Sequence, residues 1–402
     1  MIVPLTVQLG SVVTINPSSG DCEFLPNERI DFVPMSAIDA DASITSSQED
    51  RPYSEVKKGY TNFVDGDILL AKITPCFENG KISQIRIGTE IGYGSTEFHV
   101  LRPDANKLDG RYLVHFLRQN RVRVEGERRM TGSAGQRRVP RSFLDTLPIF
   151  LPTLPEQRRI ATILDKAESL RARQRKVLAQ LDRLAQSIFV TMFGDPMAPT
   201  APWGRVPVSS FVAGFESGKS VSAENEEDTT SLYRVLKVSA VTSLEFKPEE
   251  CKAAPPYHVP QDSHFVRAGD LLFSRANTAE LIGATAYVSE VEENMLLPDK
   301  LWRFVWHQEP KATPQFVNYL FRQQKFRSEI SRRASGSSGS MKNISQEKVL
   351  SIEVSLPPIS MQQVFSNRIA KIMEMKTKQI AAVAFAESLF RVIQDRAFRG
   401  EL

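Results

Sequence analysis

The chain has 402 residues, of which 41% are hydrophobic and 24% charged, with a formal net charge of +4. That length supports two or three domains with cores of their own, and that balance excludes disordered and fibrous classes. Met1 to Ile15 carries no Lys or Arg and is broken by Pro4, Gln8 and Gly10, a poor match to a signal peptide. No apolar run is long enough to span a bilayer. Cys22, Cys76 and Cys251 are odd in number and far apart. This spacing suggests neither zinc nor a disulfide framework, and a cytoplasmic setting without a membrane is expected.

In chain order, residues 1–152 read as an α/β head. Ile68-Leu69-Leu70-Ala71 and Ile82 to Ile87 look like short strands bounded by Gly, Pro, Asn and Asp. Tyr112 to Arg123 reads as one amphipathic helix that leads into a basic loop punctuated by glycine. Residues 153–196 read as a long helix. Thr153 and Glu156 form a capping-box pattern, Pro155 falls where a helix needs no N–H, and Gly194 and Pro196 mark the end. Within it Ile160, Ile163, Ala167, Leu170, Gln174, Val177, Leu181, Leu184 and Ile188 alternate by three and four, the 3.5-residue period of a coiled-coil seam.

The rest of the chain repeats the first half. Met35-Ser36-Ala37-Ile38 matches Val238-Ser239-Ala240-Val241, and Gly66-Asp67-Ile68-Leu69 matches Gly269-Asp270-Leu271-Leu272. Gly132-Ser133-Ala134-Gly135 matches Gly336-Ser337-Ser338-Gly339 at nearly the same offset. Residues 197–358 are thus a second α/β head, with Pro314 to Arg327 as its amphipathic helix. Residues 359–402 are a second long helix, with the seam Phe365, Arg368, Ile372, Met375, Gln379, Ala382, Ala386, Leu389 and Ile393. The fold class is an α/β (α+β) tandem repeat whose long helices form an antiparallel coiled coil. Ile163, Leu170, Gln174, Leu181, Ile372, Gln379 and Ala386 are the expected helix-pairing residues. Gln174 and Gln379 fall at equivalent mid-rod positions. A second apolar stripe, with Leu164, Leu178, Phe189, Ile380 and Val392, would stay wet in a two-helix rod and is expected to meet partner helices.

No catalytic set assembles. Gly214 to Ser220 resembles a phosphate-binding loop but is one residue short between its glycines. Ala254-Pro255-Pro256-Tyr257 lacks the side-chain oxygen that an amino-methyltransferase motif needs, and no Gly-rich cofactor loop accompanies it. His258 and His264 have no Cys or carboxylate pattern to complete a metal site and read as exposed loop residues.

Binding chemistry is more legible. From Arg118 to Arg141 there are eight Arg and two Glu, and from Arg322 to Lys348 seven Lys or Arg and two Glu, so the rest of the chain is net acidic. Each basic stretch holds a Gly/Ser loop. Gln136, Arg137, Arg138 and Arg141 in the first, and Ser340, Lys342 and Asn343 in the second, combine phosphate-neutralising cations with groups able to read base edges. Lys72 and Arg275 stand at equivalent strand ends and join them as DNA-binding candidates. The rival readings are an autonomous adenine methyltransferase and a scaffold whose heads bind protein.

With Leu151-Pro152 through Glu156-Gln157 and Ile160, Phe193-Gly194-Asp195-Pro196, and Ala397-Phe398-Arg399-Gly400-Glu401-Leu402, the chain resembles the DNA-specificity subunit of type I restriction–modification systems. Two departures are the second helix start, Ser360-Met361-Gln362-Gln363, which keeps half of the Glu-Gln pair, and the lack of a helix before the first head. The resemblance implies two target-recognition domains that bind a bipartite sequence in double-stranded DNA, one half each. It implies a non-enzymatic subunit that needs no cofactor of its own. Its partners would be two methylation subunits, which use S-adenosylmethionine to methylate adenine, and restriction subunits that translocate and cut.

Overall fold

The computed structural model describes residues 5–18, 24–40, 42–133, 135–219, 231–255, 257–336 and 341–402. Two compact units emerge, and neither is a continuous stretch of chain: residues 1–178 with 378–402, and residues 179–377. No helix among the described residues is long and apolar enough to cross a membrane.

In the first unit a five-stranded sheet runs in the order Val13–Ile15, Phe98–Pro103, Ile68–Ala71, Ile82–Arg86 and Ile44–Ser46. Ile68–Ala71 is buried on both faces, which explains its unbroken apolar run. A four-stranded sheet orders Glu49–Pro52, Arg29–Val33, Gly92–Gly94 and Thr61–Phe63. Leu5–Gln8 pairs with Pro148–Leu151 just before the long helix Leu154–Phe193 begins. The second unit repeats the frame. Its four-stranded sheet orders Val212–Ser217, Leu301–Trp306, Leu271–Ser274 and Thr285–Tyr287, and Arg205–Pro207 pairs with Glu353–Ser355 before the helix Ile359–Arg399. The stretch that resembles a phosphate loop is largely the edge strand Val212–Ser217, and Ser220 lies outside the described residues. His264 is buried rather than exposed, its Nδ1 accepting from the Gln261 N–H at 3.3 Å.

Each expected amphipathic helix is two. Gly110–Leu117 is followed by Asn120–Arg128, and Pro314–Arg322 by Gln324–Arg333. The break falls at Gln119 in one case and at Gln323 in the other, both extended. The Gln119 amide donates to the Phe116 carbonyl at 3.0 Å and the Gln323 amide to the Tyr319 carbonyl at 2.9 Å. A glutamine thus serves a carbonyl that the ended helix would leave open.

Both long helices enter both units, and within each unit they run antiparallel. In the first, Ile160, Ala161 and Leu164 share a core with Phe390, Ala397 and Phe398. In the second, Ala185, Phe189 and Phe193 share a core with Phe365, Ile369 and Ile372. The period is the 3.5 residues read from the sequence, but every second seam position is displaced by one residue. Ile369, Phe390, Leu164 and Ala185 are buried where Arg368, Leu389, Ile163 and Leu184 were expected. Leu170, an expected pairing residue, is 44% exposed, whereas Leu164 and Phe189, expected at a partner interface, are fully buried. The heads explain the displacement, because their apolar faces, Phe116 and Phe316 among them, claim one side of each helix.

The helix starts are built alike. The Gln157 amide donates to the carbonyls of Lys107 and Pro152, each at 2.8 Å, and its oxygen accepts from the Asp109 N–H at 2.8 Å. Gln362 donates to the carbonyls of Lys311 and Pro357 and accepts from the Thr313 N–H. Glu156 instead pairs with Arg159 at an exposed site. The second helix could therefore drop the glutamate and keep the glutamine. Gln157→Ala or Gln362→Ala should cost roughly 2–4 kcal/mol, because three backbone groups lose their partner away from water. A denaturant midpoint within experimental scatter of the parent would disprove this role.

Candidate nucleic-acid interface

The two basic loops grow from equivalent ladders. In the first unit Thr131 and Arg138 exchange backbone hydrogen bonds at 3.0 and 2.8 Å, and Arg138 also bridges Ile73, just past the strand Ile68–Ala71. In the second, Ser335 and Asn343 exchange bonds at 2.8 Å each, and Asn343 pairs with Ala276, just past Leu271–Ser274. Both turns open on a glycine with positive φ, Gly132 at 126° and Gly336 at 154°. A Cβ on Gly132 would meet the Gln136 carbonyl oxygen at 2.5 Å, and one on Gly336 the Met341 carbonyl oxygen at 2.9 Å. Two sequence-distant loops thus have the same base and the same need for glycine.

Carboxylates hold most of the candidate cations. Arg138 forks onto Glu97 at 2.7 and 2.9 Å. Its hydrogen bond holds the Glu97 carboxyl below its ordinary range against the opposing effect of burial, and the charges of Arg138 and Lys72 add to this. Arg137 lies 3.4 Å from Glu127 and 3.9 Å from Glu78, and Arg141 lies 3.3 Å from Asp145. Arg275 donates to the Asp299 carbonyl at 2.7 Å, and Lys342 donates to the Ser331 carbonyl at 3.2 Å. Lys72 is half-buried, its backbone bonded to Glu97 and Val139, while Gln136 and Asn343 are exposed. Ser340 lies outside the described residues, as do Ala134, Ser337, Ser338 and Gly339. Lys72, Gln136, Arg137 and Arg138 therefore gather at one loop base in the first unit, and Arg275, Lys342 and Asn343 at its equivalent in the second.

On the helices, the Gln379 amide donates to the Gln174 side-chain oxygen at 2.6 Å and to its carbonyl at 2.9 Å. Ile163, Leu178 and Leu181 are half-buried, and Ile372 and Ala386 are buried. Ile380 and Val392 are each 52% exposed, and Phe385, not singled out from the sequence, is 70% exposed.

The sequence reading also missed a buried polar network beneath the first head. His115 Nε2 lies 2.8 Å from Asp165, which accepts from Ser43 at 2.8 Å and Arg111 at 2.9 Å. Burial alone would raise the Asp165 carboxyl, but the hydrogen bonds and charges of His115, Ser43 and Arg111 hold it below its ordinary value. Arg118 donates to Glu168 at 3.0 Å and to the carbonyls of Asp39, Ala42 and Ile82. His115, Asp165 and Glu168 are close enough to hold a metal ion, yet both carboxylates already face guanidiniums, so the donor set suits a structural network better. The one sequence signal for it is that Arg118 and Arg322 recur at the repeat offset.

The sequence pattern of the type I restriction modification DNA specificity domain matches residues 6–183. The type I restriction enzyme EcoEI specificity subunit of Escherichia coli is 28% identical, over 89% of this chain and 75% of its own length. The EcoAI specificity subunit of the same species is 42% identical over 38% of this chain and 26% of its own. The S subunit of a type I system from M. genitalium shares the fold over 99% of this chain and 96% of its own, with a TM-score of 0.56 at 11% identity. A chain from a type I system solved in a study of complex assembly and conformational transition gives 0.56 at 19% identity, over 99% and 98%. The two solved structures show a shared fold, α/β heads with long helices, over nearly the whole chain. The chain is thus similar to the specificity subunits of type I restriction–modification systems, by its sequence pattern over residues 6–183 and by the EcoEI subunit over most of its length.

Proposed function

We propose that the chain recognises a bipartite sequence in double-stranded DNA, one half through each unit, with the paired glycine-based loops as the reading elements. The carrying observation is the identical base of the two loops at Ile73/Arg138 and Ala276/Asn343. Recognition segments 1–152 and 197–358, with helices 153–196 and 359–402, are the proposed division of labour. Gln136, Arg137, Arg138, Arg141, Lys72, Arg275, Ser340, Lys342 and Asn343 are the proposed contacts. The glutamates around Arg137 and Arg138 suit this role, since they hold the guanidiniums in place until phosphates or base edges compete for them.

The same reading gives the helices a docking role for two methylation subunits, with restriction subunits joining in the full complex, and it sets the assembly in the cytoplasm. Ile380 and Val392 remain the proposed contacts on the second helix. Leu170 and Phe385, exposed apolar residues of the same unit, take the place of Leu164 and Phe189.

Arg137→Ala with Arg138→Ala should weaken binding of a target duplex by about 1–3 kcal/mol for each Arg that reads a base, or lower the salt slope by about one for each phosphate contact. An unchanged affinity and salt slope in the folded double variant would remove the first loop from the interface.

A further inference from the structure

The first basic loop ends at Val139, and one imidazole holds that residue. Val139 donates its N–H to the Lys72 carbonyl at 2.8 Å, and its own carbonyl lies 2.9 Å from Nε2 of His99, on the strand Phe98–Pro103. A carbonyl only accepts, so Nε2 carries the proton. The other ring nitrogen, Nδ1, lies 3.2 Å from the Asn16 side-chain nitrogen, which only donates. Asn16 cannot turn its amide round without loss, because its side-chain oxygen accepts from the Val100 N–H at 3.0 Å. Its own N–H donates to the Val100 carbonyl at 2.7 Å, and its φ of 52° is one that asparagine tolerates. His99, itself buried, is thus fixed as one neutral tautomer between an acceptor and a donor.

A proton on Nδ1 would set two donors face to face. The surroundings oppose that proton as well. Burial lowers the His99 imidazole from its ordinary value, against the hydrogen bond to Val139. The charges of Lys72 and Arg141 push the same way as burial, and that of Asp145 pushes back.

The second unit fastens its loop without a titratable ring. Ile344 donates its N–H to the Arg275 carbonyl at 3.1 Å, as Val139 does to Lys72. Trp302 stands in the place of His99, because it faces Phe273 across the sheet as His99 faces Leu70, and those two residues are repeat equivalents. Its ring stacks on Phe273 with centroids 5.6 Å apart at 13°, and the Arg275 guanidinium lies 5.9 Å from its centroid. An indole keeps its charge state where an imidazole does not.

We infer that His99 is the positioning residue of the first loop, that it works only as the neutral imidazole, and that mild acid frees this loop while leaving the second in place. Its consequence for recognition, one half of a bipartite grip relaxed and the other kept, rests on the reading of both loops as DNA contacts. Opening the loop base would return His99 to water, where an imidazole takes up its proton at about 6.5. The closed form takes one up only at lower pH, so the hold is complete above the ordinary value and is lost as pH falls from there. Between about pH 7.5 and 5.5, opening should therefore rise roughly tenfold.

Amide exchange of the full chain without DNA, corrected for the intrinsic dependence of exchange on pH, tests this. Over that range Thr131, Arg138 and Val139 should lose protection by roughly that factor, while Ser335, Asn343 and Ile344 keep theirs. His99→Gln offers Val139 an N–H that does not titrate, and should keep the first loop protected throughout. His99→Leu offers none and should leave it open at both ends of the range. Parallel titrations with a random-sequence duplex compare the parent chain with His99→Gln. A ratio of affinities that moves against the parent in acid supports both the inference and the DNA reading. An unchanged ratio beside pH-dependent exchange keeps His99 as the positioning residue and removes the loop from DNA, which is a failure of the proposed function alone. Protection of Val139 indifferent to pH in the parent, the same loss in His99→Gln, or an equal loss at Ile344 overturns the inference.

Discussion

Phe189→Asp should unfold the second unit while leaving the first folded. Phe189 is fully buried in an aromatic cluster, 5.5 Å from Phe365, 5.7 Å from Phe316 and 5.2 Å from Phe193, ring centroid to centroid. Replacing the ring removes the stacking and leaves a cavity, for which Phe→Ala alone costs about 3–5 kcal/mol. A carboxylate there also has no cation on these rings to pair with, which adds the cost of an uncompensated buried charge. The variant should lose protection from amide exchange across residues 179–377 and keep it in the first unit, where the proposed docking residues Leu170, Ile380, Phe385 and Val392 lie. Phe189→Leu keeps most of the apolar volume and should remain folded with a lowered melting temperature. A folded Phe189→Asp protein with parental exchange protection would show that the ring is not the centre of that core.

Arg118→Met should be nearly as damaging in the first unit. The guanidinium holds Glu168, itself buried, and closes three backbone carbonyls, two in the loop before Ile44–Ser46 and one in the strand Ile82–Arg86. Removing one partner of a buried pair typically costs about 3–5 kcal/mol, because the other charge is left in a poor solvent. Arg171, 3.6 Å from Glu168, will absorb part of this, so the lower end of that range is expected. Arg118→Met combined with Glu168→Leu should recover stability relative to the single change, measured by urea midpoints. A double variant less stable than Arg118→Met would mean that the carbonyl contacts, not the buried glutamate, dominate.

The tandem repeat, the two long helices and their antiparallel pairing could be read from spacing, because a 3.5-residue period and a near-constant offset survive any local detail. What could not be read was which side of each helix the heads would claim. Leu170, Val177 and Leu184 make as good an apolar row as Leu164, Leu178 and Ala185, and one sequence cannot rank two such rows. The heads decided it by burying Leu164 and Phe189, which changed the assignment of both rows at once. The loops were found by composition, but Glu97, Glu78 and Glu127, which hold their arginines, come from other elements and carry no spacing signal. The same holds for the arginine-lined cavity beside Glu168 in the first unit, whose lining comes from five separate parts of the chain.

Residues 378–402 complete the core that residues 1–178 begin, with Phe398 against Tyr112 and Phe116 at centroid distances of 5.0 and 5.6 Å. Nascent chains ordinarily settle their domains from the N-terminus onward as the ribosome releases them. Here that order is reversed. Residues 179–377 hold everything their unit requires once Thr377 has emerged, while the earlier-made unit waits with the faces of Tyr112 and Phe116 uncovered until Phe398 arrives. At about 5–20 residues per second that interval lasts at least several seconds. Throughout it the first-made half of the protein is the one most exposed to chaperones, proteases and wrong partners.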